Sequence, residues 1–278
     1  MKIKKINEVI YGYFMDSLKY IGKSKNYILF ICLLFLWSML LGYSFPKLFE
    51  EQLLQMIKEL IKQTEGLDFF SMIGFIMTNN IKSSFFGLFF GLFYGVISIA
   101  MIVINGFLLG FVANKAVTSE GILVLWKLFP HGIFEIPAII ISVGIGMRLG
   151  LFLFSFKNWR KGAAAFILSF ACFTFFLTIF SFVSLILYSN NNPLELQKDY
   201  SLLMQNPYYI LFYVISVFLF FAISFYLSLF IFSEKERILV KKDFLYNVQN
   251  ALFVFIFVVI PLLVIAGIIE GSLISLLN

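Results

Sequence analysis

Long apolar runs alternate with short polar segments along this chain. From Tyr27 to Tyr43 few polar side chains intervene, and comparable runs fill Phe69–Ala116, Leu128–Gly150, Ala163–Leu187, Tyr209–Phe232 and Asn250–Glu270. A helix needs about 20 such residues to cross roughly 30 Å of hydrocarbon. The pattern therefore predicts an all-α, polytopic transmembrane helical bundle of six or seven membrane segments. Phe69–Ala116 exceeds one crossing. A first helix accounts for its beginning, and the part after Lys82 suits a tight hairpin or a crossing plus a re-entrant piece.

The polar segments set the expected topology. Residues 1–26 form a basic arm with six lysines against Glu8 and Asp16. No small-residue cleavage site follows it, so it is expected to be retained rather than removed as a signal. By the positive-inside rule the arm is cytoplasmic and the first helix runs outward. Ile6, Ile10, Tyr13, Phe14, Ser17 and Ile21 recur at helical spacing, which suits an amphipathic helix lying along the inner surface. Residues 46–65 start at Pro46 and place Phe49, Leu53, Met56, Ile57 and Leu60 on one face, an external amphipathic helix. That helix either docks a partner outside the cell or rests on headgroups or on its own bundle. The KNWRK segment (Lys157–Lys161) and SEKERILVKKDF are basic and expected inside, while YSNNNPLELQKDYSLLMQNP is an external loop and the C-terminus is outside. With KNWRK inside, Lys82–Leu128 is expected to make two crossings or none in net.

Composition narrows the function classes. The chain has 278 residues, 61% of them hydrophobic and 13% charged, with a mean hydropathy of +0.97; soluble domains carry about 45–50% apolar residues. No polar segment exceeds about 25 residues, too short to bury its own core, so residues 1–278 read as a single transmembrane domain without a separate catalytic head. Cys32 and Cys172 sit inside apolar runs and read as packing residues. The net charge of +6 is carried beside apolar runs. It indicates topology and contact with the lipid bilayer of the cell membrane, not nucleic acid.

The candidate chemistry sits in LFPHGIFEIPAIIISVGIGMRLG, residues 128–150. Ionisable residues inside a membrane are costly and are functional candidates by default. His131 and Glu135, four apart, share one helix face. Pro130 suits a first helical turn and Pro137 would kink or restart the helix, so a broken or re-entrant helix is expected here. Arg148 and Glu270 are each able to neutralise a partner, and Asn79, Asn80 and Asn105 supply hydrogen bonds. The set reads in three ways: a metal site, a proton carrier or general acid/base, or a polar staple that fixes the broken helix to the bundle. One histidine and one carboxylate fall two ligands short of a zinc site, and no HExxH occurs. No metal or cofactor is therefore predicted. With a single histidine in the chain, a Ser/His/Asp hydrolase is disfavoured. Gly87, Gly91 and Gly95 recur every fourth residue, and Gly106 and Gly110 repeat the spacing. Such glycines let backbones approach closely, either within the bundle or across a homo-oligomer.

The string PHGIFEIPA followed by a glycine-containing apolar helix resembles the signature of the stage II sporulation protein M family. FIMTNN (Phe75–Asn80), Gly87 and Gly91, NGFLLG (Asn105–Gly110) and IAGIIEGSL (Ile265–Leu273) fall in the family's order. The resemblance covers nearly all of the chain except Ala163–Phe232. It implies that His131, Gly132, Glu135, Asn79, Asn80, Asn105 and Glu270 form the family's polar core. It also implies the work of a membrane anchor: the sporulation member recruits a peptidoglycan-degrading pair during engulfment, and relatives look like parts of circular-bacteriocin maturation, export and immunity systems. The expected function is a non-enzymatic scaffold or membrane-remodelling component that recruits protein partners. The alternatives are a transporter-like component moving a lipid or peptide through the His/Glu/Arg core, and an intramembrane acid/base or metal-dependent enzyme.

Overall fold

In the computed structural model, which describes residues 2–127, 129–156, 158–191 and 207–277, every regular element is helical. Among the described residues the α-helices are α1 (Lys2–Lys23), α2 (Lys25–Ser44), α3 (Glu50–Thr64), α4 (Phe69–Phe90), α5 (Val96–Glu120), α6 (Phe129–Gly150), α7 (Trp159–Asn191), α8 (Pro207–Ser228), α9 (Glu234–Val254) and α10 (Ile260–Leu277). Six stretches among these residues are long and apolar enough to cross a membrane: Lys25–Ser44, Val96–Glu120, Gly132–Gly150, Trp159–Ser181, Phe212–Ile231 and Glu234–Leu273. The chain is thus an all-α, multi-pass membrane protein. At 22 residues, α4 has the length to cross, but Asn79, Asn80 and Lys82 lower its hydropathy and it is not one of the six. Most of the segment expected as an external loop, residues 192–206, lies outside the described residues.

The helices form two compact units, residues 1–150 with 244–278, and residues 151–243. In the first, α2 and α5 run in the same direction, backbone against backbone. Gly106 lies on Phe35 and Ser38, Gly110 on Met39 and Tyr43, and Gly42 on Phe107. Helices α4 and α6 also run parallel to each other. Gly87 meets Val143, Gly91 meets Gly146, and Gly150 meets Gly91 and Tyr94. Helix α2 is antiparallel to α6, with Ile28 beside Gly144 and Ser24 beside Arg148. Helix α10 is antiparallel to α4, where Gly267 faces Met77 and Gly271 faces Ile73. So α2, α5 and α10 point one way, and α4 and α6 the other.

The chain reverses between α4 and α5 at Gly91–Gly95. Tyr94 and Gly95 have positive φ, 60° and 73°, a conformation glycine adopts freely and tyrosine does not. The carbonyls at the end of α4 are nevertheless satisfied. Phe89 O accepts from Leu92 N–H, Phe90 O from Phe93 N–H, and Gly91 O from Gly95 N–H at 3.1, 3.1 and 2.9 Å. Gly87 O accepts from the Ser98 hydroxyl at 2.6 Å. At the other end Asp68 caps α4, accepting from Ser71 N–H at 3.0 Å and its hydroxyl at 2.8 Å. These hydrogen bonds, chiefly that from the Ser71 backbone, hold the Asp68 carboxyl below the usual carboxylate range.

Three expectations are corrected by this path. Lys82–Leu128 does not contain two crossings: its first residues finish α4, and Val96–Glu120 is a single helix. The even count is supplied by α6, which runs opposite to α5. Nor is the PHGIFE segment broken or re-entrant, because α6 is continuous from Phe129 to Gly150 with Pro137 inside it. The break lies at Gly91–Gly95 instead, so Gly95 serves the turn and is not in helical register with Gly87. A second irregularity is π-helical, Phe255–Val259, joining α9 to α10. It directly precedes Pro261, whose ring and missing N–H disrupt the bond to the residue four back.

In the second unit α7 and α8 run antiparallel along an aromatic seam. Phe173–Phe221, Phe176–Phe220 and Phe180–Phe212 have ring centroids 6.1, 5.6 and 5.7 Å apart. Gly162 lets the start of α7 close on the backbone of Leu153.

Candidate functional site

Helix α6 is the hub of the first unit, and the polar groups expected to form one core are distributed along it. Of the six candidate spans it has the largest buried share. Its middle is fixed by small residues: Gly144 on Ile28, Gly146 on Gly87 and Leu88, and the Ser142 hydroxyl donating to Ser84 O at 2.6 Å. Interhelical bonds of this kind contribute about 0.6 kcal/mol on average.

Near the start of α6, Glu135 and Glu270 of α10 are within electrostatic reach of one another, on two helices packed together. Both side chains are half-buried. Gly132, one turn earlier, is also half-buried, and a side chain there would meet only Ile136. His131 belongs to the first turn of α6, and its side chain lies outside the described residues.

Arg148 does not join them. Thirteen residues along a helix separate it from Glu135 by about 20 Å. Its guanidinium donates to the Ser24 hydroxyl at 2.8 Å and lies 4.4 Å from the centre of the Tyr20 ring. Tyr20, 1% exposed, donates its hydroxyl to Asn247 Oδ1 at 2.9 Å. Burial pushes the Tyr20 phenol up to about 12, with the Arg148 guanidinium opposing the shift. This network ties α1, the start of α2, the end of α6 and α9 together. In the last turn of α6 the cation also faces the negative end of the helix dipole.

The asparagines are dispersed as well. Asn79 is exposed and Asn80 half-buried, while Asn105 donates to Met101 O of its own helix at 2.9 Å. The predicted core is therefore two polar places at opposite ends of α6, one acidic and one built on arginine. Among the described residues no three of His, Cys, Asp and Glu come together as metal ligands. Tyr20, Ser24 and Asn247 are not among the expected site residues. Their signal is the spacing Tyr13, Ser17, Tyr20, Ser24, a second helical face of α1 beside the one formed by Ile10 and Phe14. That second face packs inward, with Tyr13 stacked 4.7 Å from Phe253, whereas Ile10 and Phe14 are exposed.

Helix α3 is held at its base only. Phe49 packs edge-on against Phe107, 5.6 Å between centroids; Glu50 pairs with Lys115; and Leu53 is buried. Past this turn, Leu54, Met56, Leu60 and Ile61 are exposed.

A family model described as stage II sporulation protein M matches residues 28–188, more than half of the chain. The matched region runs from α2 into α7. It includes part of Ala163–Phe232, which the resemblance set aside, and ends before Ile265–Leu273. No curated protein and no solved structure matches the chain.

Proposed function

Because this chain belongs to the stage II sporulation protein M family, we propose that it is an integral membrane scaffold, without catalytic chemistry of its own, that holds partner proteins at the membrane. The supporting observation is α3, anchored through Phe49, Glu50 and Leu53 while its apolar residues Leu54, Met56, Leu60 and Ile61 remain exposed. Exposed apolar residues beside acidic and basic ones suit a contact that another protein completes. In this reading the arm and the KNWRK segment face the cytoplasm, and α3 and the C-terminus face outward, as the lysine distribution favours. Glu135, Glu270 and Arg148 act as staples that hold α6 in the bundle.

The test is crosslinking in cells from a photoreactive residue at Ile61 of the full-length protein. The expected product is a discrete protein adduct formed outside the cytoplasm. It should be retained in Glu135→Ala and lost when Leu54, Met56 and Leu60 are all changed to serine. Adducts to lipid alone, or protein adducts indifferent to the serine substitutions, would overturn the scaffold reading.

A further inference from the structure

The second unit carries an open cleft of about 1020 Å³, lined by Phe156, Asn158, Trp159, Arg160, Glu236, Leu239 and Asp243. Its level is fixed by the spans beside it. One apolar stretch begins at Trp159 and the other ends at Ile231, and the charged start of α9 follows. Cations lie over exposed rings around it: Arg160 is 5.9 Å from the Trp159 ring, Arg237 5.3 Å from Phe230 and Lys241 5.6 Å from Tyr226. Amphipathic rings with adjacent lysine and arginine mark the height of lipid headgroups.

The charges on the wall are balanced. Lys161 Nζ donates to both carboxylate oxygens of Glu236, at 3.0 and 2.8 Å. Glu236 also accepts from the Ser233 N–H and hydroxyl, both at 2.9 Å. Its charge is answered within the fold. The two other charged lining groups, Arg160 and Asp243, are of opposite sign. A wall of one sign selects an anionic lipid; this one matches a headgroup that carries both charges. The Trp159 face and the Asp243 carboxylate suit an ammonium, and the Arg160 guanidinium and Asn158 amide suit a phosphate. Phe156 and Leu239 supply apolar surface for the glycerol and the upper acyl chain.

We propose that this cleft binds the headgroup of a zwitterionic phospholipid of the phosphoethanolamine type, its ammonium at Asp243 and Trp159 and its phosphate at Arg160. The proposal does not depend on the scaffold reading, since no residue of α3 enters it.

Native mass spectrometry of the detergent-solubilised full-length protein, titrated separately with phosphatidylethanolamine and phosphatidylglycerol, tests it. The wild type should bind phosphatidylethanolamine about tenfold more tightly, the order expected for one charge-assisted contact. Asp243→Asn should bring the ratio of the two affinities close to one, and Arg160→Gln should weaken both lipids alike. Both residues are exposed, so unchanged circular dichroism and unfolding midpoints are expected and confirm that the variants fold. Equal or tighter binding of phosphatidylglycerol by the wild type, or an unchanged ratio in Asp243→Asn, would overturn the proposal.

Discussion

Tyr20 shows how one side chain serves several helices. Its ring lies under Arg148 and its hydroxyl reaches Asn247, so removing the hydroxyl leaves a buried acceptor without its donor. Tyr20→Phe should cost about 1 kcal/mol, the usual net worth of such a bond. The phenol's pKa is raised in the folded protein from the ordinary 10.0 to about 12. A raised value means that the folded state holds its proton longer than the unfolded one. The associated stability is complete below pH 10 and lost as pH rises through 12. Thermal unfolding in detergent should therefore show a fall in the wild type between pH 10 and 12 that Tyr20→Phe lacks; parallel falls in both proteins would exclude Tyr20 as its source. At this scale the sequence is legible in part. Arg148 and Glu135 are recognisable as unusual from their apolar surroundings alone. Their partners are not, because Arg148 is answered by hydroxyl and aromatic groups of α1 and the start of α2, more than a hundred residues away. The Glu135–Glu270 proximity likewise depends on how α6 and α10 meet.

The glycine spacing is informative at the scale of helix pairs. A Cβ at Gly110 would meet the backbone of Met39 and Tyr43, and at Gly106 that of Phe35, atoms that cannot turn aside as a side chain can. Gly110→Ala should destabilise the protein by about 1–3 kcal/mol, the range for overpacking. Gly74 lies mid-helix in α4, and the place an alanine methyl would take there has nothing within 4 Å of it, so Gly74→Ala should instead be neutral or stabilising by up to about 1 kcal/mol. Unfolding midpoints of the two variants measured side by side decide the matter, and similar shifts would mean that α2 and α5 can separate without cost. The apolar runs reveal nearly every helix, and the amphipathic pattern with Pro46 places α3 closely. The helix interruptions are less legible, because proline is the louder signal in the sequence and glycine makes the break. Pro137 is accommodated with its ring exposed, while Tyr94 and Gly95 make the reversal through positive φ values that composition does not announce.

For the molecule as a whole, helix direction fixes which ends share a side. Since α2 and α5 are parallel, α3 and the end of α5 emerge together, and α1 lies opposite. With Cys32 and Cys172 replaced by alanine, single cysteines at Lys62 and Ser119 should react with a membrane-impermeant maleimide from the same side of sealed vesicles, and one at Lys19 only from the other. Labelling of Lys62 and Ser119 from opposite sides would contradict the parallel pairing. The π-helical turn at Phe255–Val259 bears on how such a chain can change over generations. A wide turn accommodates one residue more than an α-helical path of the same rise. Losing a single residue there would restore the regular spiral and rotate everything beyond it by about 100°, carrying Glu270 away from the flank it shares with Glu135. Substitutions in that turn alter only local packing, whereas an insertion or deletion resets the angular phase of α10, so chain length is the more tightly constrained property of this segment.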